Sequence, residues 1–150
     1  MNTNDKGLKI LAWIFLTGYA ICILYWMFRG FGRTKQTEFR ANLVPFKTIF
    51  GYIFNMNQRN IGTTIINLAG NIGVFIPFGV VLPYLFRRLR SYGRFITYFT
   101  GSIVVLEILQ TVLKVGTGDI DDVILNVIGA SFGFVFYRFF ASKASGWPGK

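Results

Sequence analysis

Four long apolar runs dominate the pattern of hydrophobic and polar positions along the chain. They cover residues 10–28, 61–86, 95–113 and 123–140. A helix needs about 20 mostly apolar residues to cross the hydrocarbon core of a bilayer. The pattern therefore predicts an all-α membrane protein, an antiparallel bundle of about four transmembrane helices. We find no internal repeat in the sequence, and we expect a single membrane domain over residues 1–150.

Three local features refine the predicted helices. The first run is longer than the apolar part of a typical secretory signal, and it ends in bulky residues such as Trp26, so we expect an uncleaved helix. Pro77 in the second run predicts a kink or a break. Gly129 and Gly133 in the fourth run have the G-x-x-x-G spacing that allows two helices to pack closely.

A shorter segment, residues 45–54, has a helical period but cannot span a bilayer. Phe46, Ile49, Phe50 and Ile53 fall on one stripe of this segment. Pro45 suits the first position of a helix. The segment is predicted to be a short amphipathic helix, either interfacial or re-entrant. Its apolar face could lie in lipid or against the bundle, and the sequence leaves both arrangements open.

Composition and charge exclude several classes of site. The chain has 16 Lys and Arg, six Asp and Glu, one Cys and no His. Histidine-based catalysis, an intramolecular disulfide and a cysteine zinc site are therefore excluded. The basic residues lie between apolar runs, so the expected partners are membrane lipids with anionic head groups and not nucleic acid. We expect no cofactor and no metal.

The distribution of basic residues gives a predicted orientation. Nine of the 16 Lys and Arg lie on the side that carries both termini. The compact cluster from Arg87 to Arg94 is the clearest cytoplasmic signal, whereas the loop over residues 114–122 is acidic. We therefore expect a multi-pass protein of the bacterial cell membrane with both termini in the cytoplasm.

Polar residues from three predicted spans share one depth in the membrane. Asn67 and Glu107 each lie six residues from the end of a run, and Asn126 lies five residues past Asp121, which corresponds to about 7–9 Å below the same face at 1.5 Å per residue. Asn71 lies one turn deeper and Gln110 one turn shallower. The sequence therefore predicts a polar layer beneath one membrane face.

Each member of this layer has a purely structural interpretation. Amide side chains commonly join transmembrane helices through hydrogen bonds, and for the Asn residues we weigh this equally with a functional role. A carboxylate in the membrane costs roughly 2.5–3.5 kcal/mol, which favours a functional role for Glu107. Asp119, Asp121 and Asp122 could simply stabilise a helix N-terminus. They could also bind a hard cation or act as acids and bases, although their spacing is not that of an EF-hand loop.

These positions resemble the motifs of the VanZ family of bacterial membrane proteins. The resemblance covers roughly residues 40–135 and is carried by residues 42–46, 67–72, 75–79, 107–110 and 119–126, followed by Gly129 and Gly133. The family often has an Arg or an aromatic residue before the acidic motif, whereas this chain has Gly116-Thr117-Gly118. The resemblance implies a cell-envelope theme, since the family's namesake is associated with resistance to teicoplanin. It implies no particular reaction.

The leading hypothesis is a non-enzymatic, accessory cell-envelope protein linked to glycopeptide resistance. It would bind an amphiphile, a lipoglycopeptide or a lipid-linked cell-wall precursor at the outer leaflet, while the basic 29–59 segment recognises anionic head groups. The alternatives are a membrane-embedded enzyme that uses Glu107 and the three Asp residues, and a small transporter or flippase subunit, for which a homo-oligomer is expected. The predicted binding cluster comprises Arg40, Asn42, Pro45, Phe46, Asn67, Asn71, Glu107, Gln110, Asp119, Asp121, Asp122 and Asn126.

Overall fold

The computed structural model describes residues 3–30, 37–38 and 41–145 and shows an all-α membrane fold. Its elements in chain order are α1 (Thr3–Arg29), β1 (Ala41–Asn42), α2 (Lys47–Phe54), α3 (Ile61–Leu85), α4 (Tyr92–Val112), β2 (Gly118–Asp119) and α5 (Ile120–Ser145). A short 3-10 turn, Arg87–Arg90, joins α3 to α4. Within the described residues, four helices are long and apolar enough to cross a membrane, namely α1, α3, α4 and α5. The predicted fold class is confirmed.

The last helix begins earlier than its apolar run predicts. α5 starts at Ile120 and not near residue 123, so Asp121 and Asp122 lie in its first turn. Asp119 precedes the helix, and its Oδ1 accepts the backbone N–H of Asp121 at 3.0 Å. Carboxylates are favoured at the positive end of a helix dipole, which explains how the acidic motif extends the helix.

The predicted break at Pro77 does not occur. α3 runs without interruption from Ile61 to Leu85 and contains both Pro77 and Pro83. A proline removes one backbone donor from a helix, and the freed groups can be accommodated where neighbouring helices support the backbone. Here α3 packs along α5, and this contact extends on both sides of Pro77.

Glycines bring the backbones of α3 and α5 into close contact. A Cβ atom on Gly129 would overlap the carbonyl oxygen of Ile72, and one on Gly133 would overlap that of Ile76. From the other helix, a Cβ atom on Gly79 would overlap the carbonyl oxygen of Ala130. The predicted close packing at the G-x-x-x-G spacing is confirmed, and it fixes α3 against α5 along their length.

An aromatic core fills the bundle further along the same helices. Phe95 is fully buried, and its ring stacks on that of Phe134 with centroids 5.0 Å apart. Phe75 of α3 meets Phe99 of α4 edge to face at 5.8 Å. The outer helix α1 joins this core through Tyr19, whose hydroxyl donates to the carbonyl oxygen of Val74. The aromatic core therefore occupies one end of the bundle, and the polar residues lie at the other end, near one membrane face.

The segment before α2 departs from the sequence-based expectation for Pro45. The expectation that Pro45 opens the helix is wrong, because α2 begins at Lys47 and Pro45 lies in the preceding turn. The Lys47 N–H donates to the carbonyl oxygen of Val44 at 3.4 Å, and Phe46 has φ 65° and ψ 0°. Proline followed by a residue with positive φ is the pattern of a type II turn. This turn directs α2 across the end of the bundle.

Candidate ligand-binding site at one membrane face

A short parallel bridge brings the two polar loops of one membrane face together. β1 pairs with β2 so that Asn42 lies opposite Asp119. The Asn42 amide donates to Asp119 Oδ1 at 3.2 Å and to the Thr48 hydroxyl at 2.9 Å, and that hydroxyl donates to Asp119 Oδ2 at 2.5 Å. The segment before α2 and the start of α5 are thereby joined through three side chains.

Asp121 fixes the N-terminus of α2. Its side chain is fully buried and accepts the backbone N–H groups of Phe46 at 2.5 Å, Thr48 at 2.7 Å and Ile49 at 3.0 Å. The residue at the N-cap of α2, Phe46, provides no side-chain cap of its own. The carboxylate therefore satisfies donors that the helix cannot satisfy internally, and its charge complements the helix dipole.

Beneath α2 lies a cavity of about 560 Å³, here called the α2 cavity. Its walls come from α2, α3, α4, the loop before β2 and the start of α5. They comprise Thr48, Ile49, Tyr52, Asn67, Leu68, Asn71, Gln110, Val115, Gly116, Thr117, Asp119, Asp122 and Leu125. This volume is within the range of small-molecule sites in proteins. Hydroxyl, amide and carboxylate groups form much of this wall.

Hydrogen bonds to the protein fix the amide side chains in this wall. Asn71 donates to Asp122 Oδ1 at 2.7 Å, and Asn67 donates to the Tyr52 hydroxyl at 3.1 Å. Gln110, only 3% exposed, donates to the backbone carbonyl of Met27 at 2.6 Å. The lining is therefore held in place by contacts between α2 and α3, between α3 and α5, and between α4 and α1.

Glu107 and Asn126 lie behind the wall of the α2 cavity and do not line it. Glu107 is buried, and its Oε2 accepts the backbone N–H of Asp119 at 3.4 Å. The Thr111 hydroxyl donates to the Glu107 carbonyl, and it lies so close to Gly118 that a Cβ atom there would overlap it. Glu107 thus supports the loop that carries Asp119. Asn126 is 2% exposed, and its Oδ1 accepts no hydrogen bond from the described residues.

The structure sorts the predicted cluster into distinct positions. Five of its residues line the α2 cavity, namely Asn67, Asn71, Gln110, Asp119 and Asp122. Asn42 and Asp121 attach α2 to α5, whereas Pro45 and Phe46 form the turn before α2. Arg40 lies outside the described residues. The predicted polar layer is therefore partly a cavity wall and partly the support behind it.

Sequence reasoning missed the two polar residues that α2 contributes to this wall, Thr48 and Tyr52. Thr48 lies off the apolar stripe of α2, and neither residue belongs to the cluster predicted from the sequence. Both are half-buried and line the α2 cavity. They lie four residues apart, hence on one face of α2. A polar pair at this spacing opposite an apolar stripe is the signal that could have identified them.

The apolar side of α2 faces away from the bundle. No residue of α2 is buried, and Phe50 and Phe54 are 51% and 80% exposed. The rings of Phe46, Phe50 and Phe54 follow one another along the helix with centroids 6.0 and 5.7 Å apart. Of the stripe predicted from the sequence, Phe46, Phe50 and Ile53 are exposed and available to lipid, whereas Ile49 lines the α2 cavity.

Charge in and around the α2 cavity is uneven. None of its described lining residues is Lys or Arg, whereas Asp119 and Asp122 both contribute carboxylates. In the part of the chain that the structure describes, no three Asp, Glu or Cys side chains come together to hold a metal ion. The basic side chain of Lys47 is exposed at the start of α2, and Arg59 is exposed in the turn after it.

Comparison with known proteins gives one match. The family model described as VanZ/LLP1 matches residues 13–141, which covers most of the chain and all the described residues of the α2 cavity. No curated protein and no solved structure shows significant similarity to the chain.

Proposed function

Since the chain belongs to the VanZ/LLP1 family, we propose that it is an accessory, non-enzymatic protein of the bacterial cell envelope. It binds the head group of a membrane amphiphile or of a lipid-linked cell-wall precursor in the α2 cavity. The acyl chain of that ligand remains in the surrounding bilayer. The head group is recognised in the outer leaflet, and both termini of the protein lie in the cytoplasm.

The observation that carries this proposal is the position of the α2 cavity relative to the two faces of α2. Thr48 and Tyr52 line the cavity from one side of the helix, while Phe50 and Phe54 are exposed on the other. An amphipathic helix with an exposed aromatic stripe lies in the membrane interface. A polar cavity directly beneath such a helix is at the depth of lipid head groups, so an amphiphile can reach it without leaving the membrane.

The resemblance to the family's namesake suggests lipoglycopeptides such as teicoplanin as one group of amphiphiles. A strain that expresses the protein is expected to be less susceptible to teicoplanin than a strain without it. Asn71→Leu, which removes a polar group of the cavity wall, is expected to abolish this difference. Asn57→Ala, in the exposed turn after α2, is the control and should protect as well as the parent. If all variants insert normally and lower teicoplanin susceptibility as much as the parent, then resistance does not depend on the α2 cavity.

Binding is tested directly by photocrosslinking in native membranes. A photoreactive phenylalanine analogue replaces Tyr52, which lines the α2 cavity, and in a separate control variant it replaces Tyr98, which is exposed on α4. We expect a lipid-linked adduct at position 52 that disappears when Leu68→Trp fills the cavity. An adduct of the same kind and yield at position 98, or one insensitive to Leu68→Trp, would contradict the proposal.

A membrane-embedded enzyme is the second candidate function. Asp119 and Asp122 both line the α2 cavity and could act on a bound head group as acid and base. Both carboxylates already accept hydrogen bonds from neutral side chains, Thr48 and Asn71 respectively. Incubation of the purified protein with lipid-linked precursors separates the two functions. Turnover by the parent protein that is lost in Asp122→Asn favours the enzyme. Saturable binding of the precursor without turnover favours the accessory protein.

A further inference from the structure

We propose that the turn between α3 and α4 binds one phospholipid that carries two phosphate groups, through Arg87, Arg88, Arg90 and Arg94. These four residues, here called the arginine turn, are all exposed. They lie at the ends of the spans away from the α2 cavity, so this site is separate from the proposed function and does not depend on it. Beyond favouring one orientation, the arginine turn has no role in that function.

Positive charge at this end of the bundle is not balanced by the chain itself. The described elements that meet here contribute eight Lys and Arg but a single acid, Asp5 in α1. Besides the arginine turn, these basic residues are Lys6, Lys9, Arg138 and Lys143. The other acids of the chain lie towards the face that carries the α2 cavity, namely Glu38, Glu107, Asp119, Asp121 and Asp122. The excess charge therefore attracts anions from outside the chain, and at a membrane surface these are lipid phosphates.

The guanidinium groups of the arginine turn keep most of their donors for a ligand. Among the described residues, their one hydrogen bond runs from Arg90 Nε to the carbonyl oxygen of Pro83 at 3.4 Å. That carbonyl is one of the last in α3, so the bond also holds Arg90 against the end of the helix. Since a guanidinium has five N–H donors, Arg90 retains most of its donors for a further acceptor.

The 3-10 geometry of the turn brings two of these charges together. Arg87 and Arg90 begin and end the 3-10 turn, and side chains three residues apart in such a helix lie one above the other. Two like charges at this spacing repel, and an anion bound between them offsets the repulsion. A guanidinium fork matches the oxygens of a phosphate in a way that a lysine ammonium does not. The pair is therefore suited to one phosphate, while Arg88 and Arg94 supply guanidiniums for a second.

Aromatic residues place the arginine turn at the depth of lipid head groups. Phe86 and Tyr92, which flank the turn, are 39% and 47% exposed. The Trp13 ring of α1 meets the Phe86 ring edge to face, with centroids 5.3 Å apart. Aromatic side chains of this kind are concentrated where a membrane meets water. Lipid phosphates are therefore within reach of the arginines, while the acyl chains lie beside the apolar surfaces of the spans.

Four arginines favour one lipid with two phosphates over two lipids with one phosphate each. A single phosphodiester carries one negative charge and leaves part of the arginine charge uncompensated. When a second phosphate is linked to the first, it binds at a high effective concentration that a short linker sets. A separate lipid has to be recruited from the bilayer. The ligand class that fits the arginine turn best is therefore a diphosphatidyl lipid such as cardiolipin.

The test uses the full chain in micelles of a neutral detergent, where both ends of the bundle are accessible, and native mass spectrometry. The probes are cardiolipin, phosphatidylglycerol and phosphatidylcholine with identical acyl chains, added at equal phosphate concentration. We expect one cardiolipin per chain, bound at least about tenfold more tightly than phosphatidylglycerol, and no retained phosphatidylcholine. Equal binding of cardiolipin and phosphatidylglycerol would overturn the preference for two phosphates. Displacement of cardiolipin by inorganic phosphate at the same concentration would overturn a lipid as the ligand.

Double variants locate the binding. Arg87→Gln combined with Arg88→Gln should weaken binding of cardiolipin about 30-fold, since each basic residue near an anionic group contributes roughly fivefold. Lys47→Gln with Arg59→Gln removes the same charge at the face of the α2 cavity and should bind cardiolipin as the parent does. If the first pair binds like the parent, or if the second pair loses as much binding, the site is not the arginine turn. Thermal unfolding of each variant shows that it is folded.

Two further pairs separate a built site from general attraction to charge. Lys6→Gln with Arg138→Gln removes two charges at the same end of the bundle but outside the arginine turn, and it should leave cardiolipin bound. Arg87→Lys with Arg88→Lys keeps the charge but not the guanidinium forks, and it should weaken binding less than the glutamine pair does. Loss of binding in the Lys6 and Arg138 pair equal to that in the glutamine pair would show a diffuse attraction and overturn the site. Undiminished binding by the lysine pair would overturn the role of the guanidinium forks.

Discussion

The Asp121 side chain accepts the backbone N–H of Thr48 at 2.7 Å, across 73 positions of the sequence. The first turn of α5 therefore holds the first turn of α2, and it does so through the main chain of α2. Since α2 covers the α2 cavity, the shape of that cavity depends on this buried carboxylate, together with the hydrogen bonds from Thr48 to Asp119 and from Asn67 to Tyr52. This relationship makes Asp121 a positioning residue, distinct from the groups that line the cavity.

Asp121→Asn is expected to loosen α2 without unfolding the bundle. The amide keeps one acceptor oxygen but loses the charge and the second acceptor. A hydrogen bond to a charged group contributes about 1.5–3 kcal/mol, so we expect hydrogen exchange at Thr48 and Ile49 to become roughly 10- to 100-fold faster. Asp122→Asn is the matched control, because its side chain accepts a hydrogen bond from Asn71 of α3. If the amides of Thr48 and Ile49 exchange at the same rate in both variants, then Asp121 does not fix the start of α2.

Gly133→Ala is expected to destabilise the bundle. The added Cβ atom would overlap the carbonyl oxygen of Ile76, and relieving that overlap requires α3 and α5 to separate. Overpacking of this kind costs about 1–3 kcal/mol, which should appear as a lower unfolding temperature in detergent. Gly70→Ala is the control on α3, since a Cβ atom there meets nothing within 4 Å. An unchanged unfolding temperature for Gly133→Ala would mean that the two helices are not in such close contact.

The apolar stripe of α2 is expected to lie within the membrane. In a Cys22→Ser background, a spin label at Phe50→Cys should be more accessible to oxygen than to a water-soluble nickel complex. A label at Lys47→Cys should show the reverse. An interfacial helix buries its apolar face about 5–10 Å below the head groups, and this depth can be measured from the two accessibilities. A label at position 50 that prefers the water-soluble reagent would place α2 outside the membrane.

Labelling of single cysteines is expected to give the orientation. Asn57 lies in the turn between α2 and α3, and Arg88 lies in the basic turn at the opposite ends of the spans. In the same Cys22→Ser background, a membrane-impermeant maleimide should modify Asn57→Cys in intact cells and Arg88→Cys only after permeabilisation. The reason is that the compact arginine cluster favours the cytoplasmic side. Labelling of Arg88→Cys in intact cells and of Asn57→Cys only after permeabilisation would show the inverted topology, with the α2 cavity at the cytoplasmic face.

The sequence was sufficient for the features that depend on local pattern. The spans follow from the length of the apolar runs, and close helix packing at Gly129 follows from glycine spacing, although the spacing does not identify its partner Ile72. A short amphipathic helix after residue 45 was also predictable, because its apolar residues repeat with a helical period. These features depend on neighbours within a few turns, so the single sequence contains the information that determines them.

The arrangement of the polar residues depends on pairings that no local pattern contains. The sequence predicts that Glu107 and Asn67 lie at the same depth in the membrane. Depth does not determine the direction in which a side chain points around the helix axis. In the structure, Glu107 lies behind the cavity wall and Asn67 lines it. The interpretation of Pro45 failed for a related reason. The donors of Thr48 and Ile49 are satisfied by Asp121, a residue distant in the sequence, so the turn before α2 is determined by α5.

The hydrogen bond from the Phe46 N–H to Asp121 joins residues 75 positions apart, so it cannot form until most of the chain has been synthesised. Helices emerge from the ribosome in chain order, so α2 is made before α3, α4 and the carboxylate that caps it. Until the start of α5 reaches the membrane, the first N–H groups of α2 have no partner from that chain segment. Docking of α2 must therefore be a late step of membrane insertion. A nascent chain that ends before Asp121 would carry the four-residue turn and α2 at the membrane surface, and the cavity would close only when the last span is in place.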